Sequence, residues 1–303
     1  MRKKEKREDM KKEDGSYREY DPEVLRRLQL VQLDILKDFI AVCKKYDLDY
    51  IMLGGTGIGV VRHQGFIPWD DDIDVAMPRK DYDRFMEVYE KEIGDKYKVL
   101  TPLKDKNYAC NVTHFQKKGT KFVPYISRRL KCDLCIDIDI FPMDNMPEDK
   151  KKRASQLRKT WFLNKLIFLC GTPDPIIPLK GFQKFAATYI CKAVHYVLKF
   201  FHVSPRFLYK CLVRECTRYN GEKSRYMNAF EVTMSDRAYL SREEMYPLRE
   251  MPFEGVMVSM PNQYDVYLRR LFGDYMQMPP EDKRVNHCPY ILDFGDGVNA
   301  VEE

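Results

Sequence analysis

The sequence predicts an α+β fold: a mixed β-sheet with flanking helices and an inserted helical region. Three observations predict it. Over the first 145 residues, helix-period and strand-period apolar patterns alternate. Residues 148–225 lose the strand pattern and become helical and basic. From residue 226 the mixed pattern returns. With 303 residues and 44 % apolar content, the chain can bury one large core or two modest ones.

The elements follow in order. The opening "MRKKEKREDMKKEDGS" carries both signs of charge and no apolar h-region. Residues 1–20 are therefore expected to be a solvated, disordered arm, not a secretory signal. Residues 22–46 read as a helix, with Asp21 as N-cap and Pro22 at the first helical position. Leu25, Leu28, Leu36, Phe39, Ile40 and Cys43 recur there near helical spacing. "DYIML" (49–53) is a short buried strand running into a glycine cluster. "DIDVAM" (72–77) is a second strand, stopped by Pro78. Residues 79–93 are helical, with Tyr82, Phe85, Met86 and Tyr89 on one face. "YKVL" (97–100), "ACNVTHFQ" (109–116) and "TKFVPYI" (120–126) are further strands. "LCIDIDIF" (134–141) alternates strongly and is bounded by Pro142. Residues 21–147 thus make the core of one domain with a mixed sheet, and residues 226–303 its C-terminal part.

The insertion, residues 148–225, holds "WFLNKLIFLC" (161–170) and "AATYICKAVHYVLKFF" (186–201), joined by the Pro/Gly-rich "GTPDPIIPLKG". Lys192, His195 and Lys199 fall on one helix face. Either the helices pack on the mixed-sheet domain behind a wet basic stripe, or they meet a membrane surface or an anionic acceptor. In the C-terminal part, a helix is expected from about Tyr264 to Phe272, capped by Gly273.

Composition narrows the function. A net charge of +6 fits an anionic substrate or a membrane surface. No nucleic-acid-binding signature appears, so no nucleic-acid partner is expected. No uncharged apolar run is long enough to span a membrane. Nine scattered cysteines without a secretion signal favour reduced thiols in the cytoplasm. Cys132 and Cys135 form a lone CxxC, short of the ligands zinc needs.

Two features of "LGGTGIGVVRHQGFIPWDDDIDVAMP" carry chemistry. Gly55, Gly57 and Gly59 give GxGxG, not the dinucleotide fingerprint GxGxxG. Gly65 and Pro68 then interrupt the crossover helix that fingerprint requires. The glycines instead suit a tight strand-to-helix turn. It serves backbone geometry alone, or it also cradles a phosphate with Thr56 and a short helix from near Gly57. Further on, Asp72 and Asp74 alternate with Ile73 and Val75, so both carboxylates project from one strand face. Such anions repel unless a cation lies between them, and Mg2+ (or Mn2+) is the hard cation that suits them. Asp70 and Asp71 fit an acidic surface turn, or Asp71 stands behind the metal ligands and supports them. Asp137 and Asp139 repeat the pattern on an apolar strand. Asp139 is the favoured third carboxylate, as metal ligand and proton acceptor, with Asp137 either the alternative or a supporting residue behind it.

"GGTGIGVVRHQGFIPWDDDIDVAMPRKDYDRF" strongly resembles the LicD family of phosphotransferases, within the nucleotidyltransferase-fold superfamily that includes fukutin-like enzymes. "DIDIFPMDNMP" (137–147) and "PFEGVMVSMPNQYDVYLRRLFGDYMQMPPEDKRVNH" resemble two further family segments. The likeness covers most of residues 25–147 and 250–290, and the helical middle does not carry it. It implies a nucleotidyltransferase-like sheet and transfer of a phospho-alcohol from a CDP-activated donor to a glycan hydroxyl. CDP-choline is the favoured donor. The acceptor is a cell-surface polysaccharide, teichoic acid or lipid-linked precursor. On this chain, Asp72 and Asp74 resemble the metal-binding pair and Asp139 the third carboxylate. Gly55, Thr56 and Gly57 resemble the donor-phosphate turn. Arg62 and His63 match the family's RH pair, and Arg284 and His287 its terminal R-x-x-H. Gly57-Ile58 is smaller than members usually carry there. Trp69 either stacks on a base or choline or wedges the acidic loop. The implied enzyme is cytoplasmic, with peripheral contact on the inner face of the cell membrane. Two other classes remain: a nucleotidyltransferase adding NMP to a sugar, protein or small molecule, and a non-catalytic binding protein that kept the fold.

Overall fold

The computed structural model describes residues 17–175, 177, 179, 181–231, 237–287 and 289–301. Its chain begins in regular structure with helix α1 (Pro22–Tyr46), where the Asp21 carboxylate accepts the Glu23 and Val24 N–H groups. Leu28, Ile35, Leu36 and Phe39 on this helix are fully buried, as the apolar spacing requires. Then follow β1 (Ile51–Met52), α2 (Gly54–His63), β2 (Asp74–Pro78), α3 (Arg79–Ile93), β3 (Tyr97–Leu100), β4 (Thr113–Lys117), β5 (Lys121–Pro124) and β6 (Asp137–Met146). The insertion supplies α4 (Lys150–Gly171), α5 (Gly181–Phe200) and α6 (Pro205–Cys216). Last come β7 (Tyr226–Asn228), β8 (Leu240–Ser241), α7 (Arg242–Met245), β9 (Arg249–Phe253), β10 (Val256–Met260), α8 (Tyr264–Phe272) and β11 (Pro289–Asp293).

The central sheet runs β1-β2-β6-β4-β3, with β7 and β8 extending from the far end of β6. β2 and β6 are parallel, and the other pairs are antiparallel, so the sheet is mixed. β9–β10 and β5–β11 form two separate ribbons. One apolar cluster joins α1, α3 and the sheet around Phe39, Phe85 and Phe115. A second, smaller one joins α4, α6 and Phe230 through Leu157, Ile167 and Leu212. Among the described residues, no helix is long and apolar enough to cross a membrane.

Three expectations change. Residues 1–16 lie outside the described residues, but 17–20 are no solvated arm: Tyr20 is buried, and Arg18 exchanges backbone hydrogen bonds with the Asn286 side chain. β6 does not stop at Pro142 but continues to Met146. β4 pairs with β6 up to Ile140, and pairing with β7 begins only at Asp144, so Pro142 falls where that flank of β6 has no ladder partner. β2 begins at Asp74, leaving Asp72 on the loop that leads into it.

Candidate active site

Ladder register assembles one half of the site. Asp74 on β2 is paired with Asp139 on β6, and Asp139 is paired with His114 on β4. Residues paired across a ladder share a face, so the three side chains form one row over three strands. Asp137 lies two residues back on the same face. His114 Nδ1 is 2.5 Å from Asp139 Oδ1 and 3.0 Å from Asp137 Oδ2, so the imidazole bridges both carboxylates. The Asp139 N–H donates to Ile73 O at 2.8 Å and the Leu53 N–H to Asp74 O at 2.9 Å, which pin the row to β2 and to the glycine turn.

The loop before β2 supplies the other half. Asp71 is fully buried, not on a surface turn. It accepts the Tyr20 hydroxyl at 2.5 Å, the His287 N–H at 3.0 Å and 3.1 Å, and pairs with His287 Nδ1 at 3.0 Å. The other ring nitrogen, His287 Nε2, is 3.7 Å from Asp72 Oδ2. Gln29 and Gln32 of α1 donate to the Asp70 and Asp71 carbonyls at 3.0 Å and 2.8 Å, fixing the loop from behind. His114, Asp137, Asp139, Asp71, Asp72 and His287 line one cleft, walled by Phe122, Pro124 and Leu134.

Charge in this cleft is crowded. Burial, then Asp72 and Asp139, push the Asp74 carboxyl well above its ordinary value. Burial pushes Asp72 up to about 6, with His287 pulling it down and Asp71 and Asp139 adding to the rise. Asp70 is raised well above the usual range by burial and by Asp72, Asp71 and Asp74. Burial also raises Asp137, against the pull of His114. For His114 and His287 burial opposes the charged form, yet the carboxylates around them win and hold both imidazoles well above the usual histidine value.

α2 starts at Gly54, earlier than the expected start near Gly57, and takes in the whole glycine cluster. Gly54 sits at φ +56°, and a Cβ there would lie 3.1 Å from Asp74 Oδ2, so the turn needs glycine. The Gly57 N–H already donates to Leu53 O at 3.0 Å. The N–H groups left at the start of the helix are those of Gly54, Gly55 and Thr56. Thr56 is buried, and its hydroxyl accepts the Asp74 N–H at 2.9 Å, so it braces the acidic strand.

Other predicted residues fall around the rim. Arg62 donates to the Tyr275 and Gln277 carbonyls at 2.6 Å and 3.4 Å and thereby holds the C-terminal loop. Burial, then Arg62, lower the His63 pKa. The Arg284 guanidinium stacks over the Trp69 ring at 4.4 Å, and Trp69 packs against the main core, as a wedge does. His114 and Tyr20 are site residues that sequence reasoning missed. Among the described residues, two trios each bring three ligand atoms within 4.8 Å of one another: Asp71–Asp72–His287 and His114–Asp137–Asp139. The predicted trio Asp72, Asp74 and Asp139 is not itself one of them. It takes one member from each, plus Asp74, which feels the charge of both others.

A glycine turn feeding an acidic strand, beside a second acidic strand in a mixed sheet, marks a class of domain. Residues 47–168 match the LicD/FKTN/FKRP nucleotidyltransferase domain. The chain is 30 % identical over 285 residues to lipopolysaccharide cholinephosphotransferase LicD of Haemophilus influenzae, covering 88 % of this chain and 98 % of that one. It also resembles an uncharacterised protein of Rickettsia typhi, 28 % identical over 133 residues, covering 43 % of this chain and 42 % of that one. The chain belongs to the LicD family. Both the domain match, which reaches into α4, and the 88 % coverage carry the likeness into the helical middle, where the motifs alone did not.

Proposed function

We propose that this protein transfers phosphocholine from CDP-choline to a hydroxyl of a cell-surface glycan or its lipid-linked precursor, working at the cytoplasmic face of the membrane. The observation that carries this reading is the likeness, over almost the full length of both chains, to a lipopolysaccharide cholinephosphotransferase. The site supplies compatible chemistry. Asp72, Asp74 and Asp139 are the residues that would hold Mg2+ or Mn2+. The fit rests on burial, and then on repulsion from neighbouring carboxylates, which raise Asp72 and Asp74, and on an all-oxygen donor set suited to a hard cation. When bound, the metal neutralises charge that develops on the leaving CMP.

The chain's own residues do the rest. An acceptor oxygen attacks the phosphorus that bears choline. The new P–O bond forms as the bond to the CMP phosphate breaks. Asp139 takes the hydroxyl proton, and His114, 2.5 Å away, fixes the orientation of that carboxylate. The free N–H groups of Gly54, Gly55 and Thr56 face donor phosphate at the head of α2. His287, held cationic between Asp71 and Asp72, adds positive charge at the mouth of the cleft.

The test is CMP release from CDP-choline, CDP-glycerol and CDP-ribitol, with pyrophosphate release from nucleoside triphosphates assayed in parallel. CDP-choline should be turned over, and Asp72→Asn with Asp74→Asn should abolish it. Turnover by that double variant at the wild-type rate would remove the carboxylates from the mechanism. Pyrophosphate release without CMP release would make the protein a nucleotidyltransferase instead.

A further inference from the structure

Helix α5 has no buried residue along its whole length. Phe182, Phe185, Tyr189, Tyr196 and Phe200 are 82, 58, 60, 59 and 76 % exposed. At 100° per residue these five rings fall on a single stripe less than a quarter-turn wide. The opposite side faces the rest of the insertion. His195, turned well away from the stripe, has Nδ1 2.7 Å from Leu169 O, while Lys192, on the flank of the stripe, pairs with Asp174 at 3.1 Å. The expected wet basic stripe is therefore partly engaged, and the helix turns aromatic rings outward instead.

Such a stripe marks an interaction surface, because soluble monomers rarely expose contiguous apolar area of this kind. Charge identifies the occupant. From Lys150 to Cys216 the chain carries fourteen Lys and Arg against Asp174 and Glu215 alone, while the whole chain is only +6. The positive charge is thus concentrated in the region that presents the stripe. A second copy would bring two such cationic regions together. An anionic surface would attract one. Phenylalanine and tyrosine rings suit the headgroup boundary, and exposed lysines such as Lys184 and Lys199 can reach back to lipid phosphates. We propose that α5 lies flat on an anionic lipid bilayer and docks the protein there through its aromatic stripe.

This is tested with the full chain and no donor or acceptor, so its failure would leave the transfer reaction untouched. The protein is sedimented with vesicles of phosphatidylcholine alone, and of phosphatidylcholine mixed with phosphatidylglycerol. It should co-sediment with the anionic vesicles, much less with the neutral ones, and come off as salt is raised. Phe182→Ser with Phe185→Ser and Phe200→Ser should lower partitioning about tenfold or more. Lys184→Glu with Lys199→Glu, which leaves every ring in place, should do the same. Circular dichroism and the melting temperature show whether each variant is folded. Absence of sedimentation with anionic vesicles at low salt would overturn the proposal. So would binding that both folded variants retain, or a wild-type dimer in sedimentation velocity that the phenylalanine variant loses.

Discussion

Gly59 has the tightest steric demand in the glycine cluster. A Cβ there would lie 2.5 Å from the carbonyl oxygen of Gly65, a backbone atom that cannot swing aside. Gly57 differs, since its Cβ would meet nothing nearer than 3.5 Å. Gly59→Ala is therefore expected to destabilise the fold by about 1–3 kcal/mol in urea unfolding, and Gly57→Ala by clearly less. Equal effects would mean that the approach of Gly65 does not set the requirement. Residue types and local spacing made Asp72, Asp74, Asp137 and Asp139 legible from sequence. His114 was not, because a lone histidine in an alternating strand shows nothing until the register sets it opposite Asp139. Tyr20 was hidden for a related reason. Its partner Asp71 is 51 positions away, and nothing local in a charged leader forecasts that contact.

Between elements, one buried ion pair ties the sheet to its flanking helix. Arg79 at the start of α3 grips Asp144 on β6 with two bonds, Nε to Oδ1 at 2.9 Å and Nη2 to Oδ2 at 2.6 Å. Asp144 is almost wholly buried and also accepts the Asn220 amide at 2.7 Å. Removing one partner leaves the other charge buried and unpaired, whereas removing both removes that penalty. Asp144→Leu should therefore cost roughly 3–5 kcal/mol, and Arg79→Met with Asp144→Leu together should cost less than the single change. A double variant as unstable as the sum of its parts would show that the two side chains do not act as a pair. The bounds of α1, α3, β3 and α8 match the sequence reading, because caps and apolar period are local signals. The end of β6 did not follow from them. Pro142 signals a stop, and only the staggered partners β4 and β7 make it harmless.

Across the whole molecule, the charge of the insertion was readable, but its exposed rings were not, since apolar residues are taken as core until a partner is found missing. Buried charge also sets how stability depends on pH. Glu231 is buried, and its carboxyl is pushed up to about 8, chiefly by burial, with Arg79 opposing and Asp144 adding. A carboxyl raised on folding keeps a proton that the unfolded chain releases. Its contribution is complete below the unfolded pKa and is lost as pH rises through the folded one. For Glu231 that window runs from 4.5 to about 8, and for Asp72 from 3.8 to about 6. Asp70, Asp74 and Asp137, also raised, push the same way. His114 and His287, held well above 6.5, lose their contribution in the same direction at higher pH. Exposed carboxylates held low, such as Glu90 and Glu243, act oppositely in acid, but water screens them. Metal-free protein should therefore melt at progressively lower temperature from about pH 5 to pH 9. Glu231 alone accounts for something on the order of 4 kcal/mol of that fall. Glu231→Gln should flatten the upper part of the curve without touching the site. Mg2+ should raise the melting temperature more at high pH, where the cleft carboxylates are free of protons, and should do so equally in wild type and Glu231→Gln. A melting temperature that climbs with pH in EDTA would contradict the burial of these groups. A Mg2+ effect that ignores pH would place the cation away from the carboxylate row.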